Sequence, residues 1–197
     1  YQYLHQLLRD HEPGVHPVEL RTLYLIAINF CVKQLNFGKR AYLDILFDIY
    51  WNGLETGWIF EKGTLSPWTY KNIVSVGLKL ARYDQIASFI SQYREKLPLS
   101  HREDFYQHAR VELLFAQADY QQVLRTTYNV QLKDAITRLR VRIIRIKACY
   151  ELGEISLLEY QVENFTQLLR REKRSAYHKQ HYLDFVAHVS QLIRILP

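Results

Sequence analysis

An all-α fold, a solenoid of stacked helix pairs, is what this sequence predicts, and three observations predict it. Glycine and proline number only 7 and 5 in 197 residues, too few for a turn-rich β fold and suited to long helices with short connections. Apolar content of 48% is enough for a true core and excludes a disordered polymer. Above all, a small residue recurs at Gly38, Ala81, Ala118 and Gly153, each time just before a new apolar helical pattern, at spacings of 43, 37 and 35 residues. Periods of this size belong to arrays in which each helix pair buries its apolar faces against the next.

Start and stop signals divide the chain into about nine helices beyond a first piece, Tyr1 to Asp10, which ends at His11-Glu12-Pro13-Gly14. Val18 to Asn36 and Lys39 to Leu54 form the first pair around Phe37-Gly38. Gly53 to Leu65 carries three glycines and is the longest irregular stretch, flanked by Trp51, Trp58 and Trp68, which the pattern assigns to anchoring that loop. Ser66 is expected as an N-cap ahead of Pro67 at the first helical position, opening a helix to Leu80. Tyr83 to Leu97 follows, stopped by Pro98. Ser100 and Glu103 read as a capping box for a helix to about Gln117. Tyr120 to Tyr128, Asp134 to Leu152, Glu154 to Arg171 and about Ser175 to Leu196 complete the series. The corresponding repeats are 18–56, 66–98, 100–130 and 134–171, with 175–196 as a capping helix, all in one domain.

Core faces follow from helical spacing. Phe105, Ala109, Leu113 and Ala116 line one side of their helix, and Tyr182, Phe185, Val186, Val189, Leu192, Ile193 and Leu196 one side of the last. Tyr24, Phe30, Phe89 and Phe165 are expected as packing residues. The helix from Asp134 is apolar on two sides, with Leu139, Ile143, Ile146 and Tyr150 nearly opposite Val141, Ile144 and Ala148. Such a helix must lie between neighbours.

The repeats resemble the tetratricopeptide superfamily over roughly Ser66 to Arg171, with Lys39 onward as a weaker copy. The matching features are the small residue and aromatic at the turn, Ala81 with Tyr83 and Ala118 with Tyr120, and Pro98 after a second helix. Where that family favours small residues at the close contact within a pair, this chain has Val74, Val111 and Ile146 facing Ile86, Val123 and Leu158. The resemblance therefore implies a divergent right-handed α-solenoid whose paired helices stand further apart. Leu65-Ser66-Pro67-Trp68-Thr69-Tyr70-Lys71-Asn72 also resembles uncharacterised helical-repeat proteins of bacterial origin, which implies a fold and no activity.

The net charge of +6 is concentrated: residues 131–180 hold 11 Lys and Arg against 6 Asp and Glu, the remainder 15 against 14. Arg138, Arg142 and Arg145 repeat at i, i+4 and i+7 and form one stripe between the two apolar faces. Arg170, Arg171, Lys173 and Arg174 cluster at a helix end. These arginines are the candidate partner-binding residues, because the planar guanidinium fork matches carboxylate and phosphate groups. A solvated face, with cations placed favourably at a helix C-terminus, accounts for the same pattern.

His178, His181, Asp184 and His188 share the polar side of the last helix. His181 and His188 lie two turns apart, about 10.5 Å by helix rise, too far to share one ion. That group, and His101 with His108, are expected on solvated faces, with no metal and no cofactor. Cys31 and Cys149 fall in separate apolar runs and read as buried reduced thiols. No phosphate-binding glycine loop, His-Glu-x-x-His or nucleophile elbow is present. The longest apolar stretch, Leu23 to Val32, is half the length of a membrane span, and a cytoplasmic location is inferred. The chain begins at Tyr1 without an initiator methionine and reads as a fragment of a longer one.

The function expected is a non-catalytic interaction module or scaffold that docks a protein or acidic peptide partner on a concave face. Nucleic-acid binding through the basic C-terminal third is the first alternative, and an enzyme site assembled from distant residues the second.

Overall fold

The computed structural model describes residues 17–171 and 176–195. Tyr1 to Asp10, Lys173, Arg174, Leu196 and the side chain of His178 lie outside the described residues. Nine α-helices and one short 3-10 turn account for the regular structure among these residues, with no strand. The chain divides into two compact units, one ending at Pro98 and one beginning at Leu99.

The first unit contains α1 (Pro17–Asn36), α2 (Tyr42–Thr56), α3 (Pro67–Lys79), α4 (Tyr83–Gln92) and a 3-10 turn at Arg94–Lys96. Consecutive helices pack on each other. Tyr24, Phe47, Tyr50, Tyr70, Ile73, Ile86 and Phe89 form the core, and the Tyr70 hydroxyl donates to the Ile90 carbonyl at 3.1 Å. The irregular stretch is shorter than expected, because α2 continues to Thr56 and ends at Gly57 in the left-handed conformation. Trp58 holds this loop: it stacks on Tyr24 at 4.4 Å and donates from Nε1 to Asn52 Oδ1 at 3.2 Å. Trp51 stacks on Phe47 within its own helix, and Trp68 is exposed. The end of the loop is fastened by the Leu65 amide, which donates to the Lys96 carbonyl at 2.7 Å.

The second unit contains α5 (Arg102–Ala116), α6 (Tyr120–Tyr128), α7 (Ala135–Glu151), α8 (Ile155–Arg171) and α9 (Ala176–Ile195). The expectation for the doubly apolar helix holds: α7 packs against α5, α6 and α8. Leu139, Ile146, Cys149, Leu158, Val162, Phe165 and Leu169 make one core cluster with Val186 and Val189, while Ala148 joins Val111 and Val123 on the other side of α7.

The recurring small residues are turn residues of one geometry. Gly38, Ala81, Ala118 and Gly153 have φ of 80°, 54°, 58° and 69°. At each, the next residue's amide bonds back five positions, from Lys39 to Gln34, Arg82 to Gly77, Asp119 to Leu114 and Glu154 to Cys149. The small residue's own amide bonds back three, to Leu35, Leu78, Phe115 and Tyr150. This double closure satisfies carbonyls that a helix end otherwise leaves open.

Several expectations are corrected. Helix α4 stops at Gln92 instead of Leu97, a 3-10 turn follows at Arg94–Lys96, and Leu97, which the next proline keeps out of the α region, is extended at ψ 143°. The capping box at Ser100 and Glu103 does not form: residues 99–101 turn, the N-cap is His101 without a side-chain cap bond, and Glu103 accepts from Gln107 instead. Ser66 precedes Pro67 as expected but makes no side-chain cap bond. Phe30 is 45% exposed, packed edge-on against Tyr42. His108 is buried, not solvated, with Nδ1 3.4 Å from Glu112 Oε2.

The close contact between α3 and α4 uses a small residue after all, one turn beyond Val74. A Cβ on Gly77 would lie 2.3 Å from Ile86 Cδ1, 2.4 Å from its Cγ1 and 3.0 Å from Phe47 Cε2. Helix propensity favours Gly77→Ala by roughly 0.5–1 kcal/mol, but overpacking a closed core costs about 1–3 kcal/mol. Gly77→Ala should therefore lower the urea midpoint, and adding Ile86→Val should recover part of the loss; a stabilised Gly77→Ala protein would show that the two helices separate freely.

Candidate functional site

The site begins with a buried carboxylate that the sequence pattern did not single out. Asp104, only 4% exposed on α5, accepts from the backbone amides of Lys133, at 3.1 Å, and Asp134. Asp134 in turn caps α7, its Oδ2 accepting from the Thr137 amide at 2.6 Å. Two carboxylates in series thus fix where α7 starts, and a helix start fixes the direction in which every later side chain points.

From that start Arg138, Arg142 and Arg145 follow along one side of α7, all half-buried because the helix has neighbours on both apolar faces. The structure separates their roles. Arg138 turns back toward the helix start and donates from Nη1 to the Leu132 carbonyl at 3.3 Å. Arg142 and Arg145 line a cavity of about 450 Å³ between α6, α7 and α8. Arg171, from the end of α8, lines the same cavity.

Arg170 does not join them. One residue along a helix is a rotation of about 100°, and Arg170 lies instead in a separate cleft with Glu159, Glu163 and Arg194. The predicted C-terminal cluster is therefore split: Arg171 belongs with the stripe, Arg170 lines a cleft that also holds Glu159 and Glu163, and Arg174 is outside the described residues.

Around the three guanidinium groups the cavity presents the side chains of Tyr128, Tyr160, Gln161 and Asn164, and no carboxylate or histidine among the described residues. The rings of Tyr128 and Tyr160 are 74% and 60% exposed, whereas Gln161 is buried. Burial pushes the pKa of Arg142 below the ordinary arginine value, and the positive charges of Arg145 and Arg138 push it the same way. The Nε of Arg145 is sealed from solvent and has no hydrogen-bond partner among the described residues. The site is thus a set of crowded cations with donor capacity to spare, and what it can do chemically is hold an anion.

The remaining candidates form no second centre. His181, Asp184 and His188 are exposed on α9, and no group of three metal-ligating side chains occurs among the described residues. Cys31 and Cys149 are fully buried free thiols; burial raises the first to about 11 and the second in the same direction. No described helix is long and apolar enough to cross a membrane. Compared with protein-family models, curated proteins and solved structures, the chain matches none.

Truncating Asp104 leaves two backbone amides without their acceptor, each a loss of about 1–3 kcal/mol. Asp104→Ala should lower unfolding stability in urea by at least ~2 kcal/mol with an unchanged m value, and Asp104→Asn by less, since one carbonyl acceptor remains. A loss below ~0.5 kcal/mol in the alanine variant would mean that the start of α7 is set by something else.

Proposed function

We propose that this chain is a non-catalytic interaction module, a divergent tetratricopeptide-like solenoid of helix pairs, that docks an acidic peptide segment of a protein partner. The observation that carries this reading is the convergence of Arg142, Arg145 and Arg171 on one concave site without a carboxylate among its described residues. Guanidinium groups grip carboxylates through paired N–H bonds, and such charge-assisted bonds are about twice as strong as neutral ones. Tyr128 and Tyr160 beside them provide contact area with little rotamer freedom to lose, the property that enriches tyrosine in interfaces. The four left-handed turns of one hydrogen-bonding pattern support the solenoid reading.

A fluorescein-labelled decapeptide rich in glutamate, followed by anisotropy, tests the proposal. Replacing Arg142 or Arg145 by alanine should weaken binding by roughly 10-fold or more, and Arg171→Ala, at the exposed end of α8, by a smaller factor. Arg170→Ala should leave it unchanged. Equal binding by all four variants, or loss only with Arg170→Ala, would overturn the assignment of the site. Melting curves for each variant separate lost affinity from lost structure.

A further inference from the structure

Charge is the discriminating property of the cavity. Three arginines line it, with Arg138 one turn back toward the start of α7. A carboxylate brings one negative charge and two acceptor oxygens. A phosphomonoester brings about −1.5 to −2 at neutral pH and three strong acceptor oxygens. A phosphodiester of a nucleic-acid backbone brings one charge per phosphate, and its recognition calls for a basic track extended over several phosphates. The basic residues gathered here surround one concave volume, and the next cleft along α8 contains Glu159 and Glu163.

Donor geometry points the same way. The guanidinium forks of Arg142, Arg145 and Arg171, together with the side-chain amides of Gln161 and Asn164, offer hydrogen bonds beyond those a carboxylate can accept. At about 450 Å³ the cavity also has room for the stem that carries the anionic group, and pockets of this size commonly hold small organic groups. The exposed rings of Tyr128 and Tyr160 give that stem an apolar wall.

We infer that the Arg142, Arg145 and Arg171 cavity receives the phosphomonoester of a phosphorylated side chain on the partner peptide. This deepens the acidic-peptide reading and rests on it. The phosphoryl oxygens accept from the guanidinium groups, the amide side chains complete the set, and the tyrosine rings flank the carrier. No covalent step is involved. No histidine or carboxylate lines the cavity among the described residues, so the ionisation of the ligand itself governs the pH response. Its second proton leaves near pH 6, and the site therefore holds the ligand better above that value than below it.

Three labelled decapeptides, identical but for a central phosphoserine, glutamate or serine in a glutamate-rich frame, test the inference by anisotropy at constant ionic strength. At pH 7.5 the phosphoserine peptide should bind at least 10-fold more tightly than the glutamate peptide, and this preference should shrink several-fold at pH 5.5. Arg142→Lys retains the charge but loses the fork and should reduce the preference; Arg171→Ala, at an exposed position, should reduce it without disturbing the fold. Equal affinity for phosphoserine and glutamate, both sensitive to Arg145→Ala, would overturn the phosphoryl inference and leave the acidic-peptide reading standing. No binding of either peptide would overturn both. A phosphoserine preference that survives Arg142→Lys, Arg145→Ala and Arg171→Ala would place recognition elsewhere and overturn the inference. Free phenyl phosphate that competes with the full affinity of the peptide would overturn the assignment to a peptide and put the ligand among small phosphomonoesters.

Discussion

The left-handed turn between helices is the constraint on which most of this structure depends. At four places the chain reverses through one residue of positive φ, closed by two backbone hydrogen bonds. Two of those residues are alanines, Ala81 and Ala118, for which that conformation carries a steric cost glycine does not pay. The cost is tolerated because each turn delivers the next helix directly onto its predecessor: Ile86 arrives against Gly77, and Val123 against Val111. Packing on both sides of such a turn stabilises it more strongly than the residue's own preference opposes it.

The same packing explains the arginines. A helix with neighbours on two faces has only narrow strips left over, and whatever stands there is neither fully solvated nor fully buried. On α7 those positions are Arg138, Arg142 and Arg145. Arg142 and Arg145 are thereby half-buried, and the cavity they line presents no carboxylate among the described residues. Such an arrangement is unfavourable for the isolated chain and favourable once an anion arrives, the usual trade between stability and binding at functional sites. Asp104 and Asp134 hold the start of the helix that carries this charge.

What could be read from the residues alone was what depends on local order along the chain. The turn positions were legible because small residues recur, and the arginine stripe because three residues at helical spacing must share a side. The extended Leu97 before Pro98 was legible in principle, since the restriction on the residue preceding a proline is local, but nothing in Tyr93-Arg94-Glu95-Lys96 marks the earlier end of the helix at Gln92. Asp104 and His108 were not legible: polar residues in an amphipathic helix look solvated until the fold places backbone amides or a neighbouring carboxylate against them. The split between Arg170 and Arg171 depends on what stands opposite each, which is a property of the tertiary arrangement. Phe30 shows the converse, an aromatic residue in an apolar pattern that remains partly in water.

The sulfur chemistry of the chain has a practical consequence. Methionine is absent, and both cysteines are fully buried, with the Cys31 thiol held at about 11. Oxidants and alkylating reagents act on exposed thioethers and thiolates, and the folded chain presents neither. A single cysteine introduced on its surface would therefore be the preferred target for a spin label or fluorophore, with both native cysteines left in place.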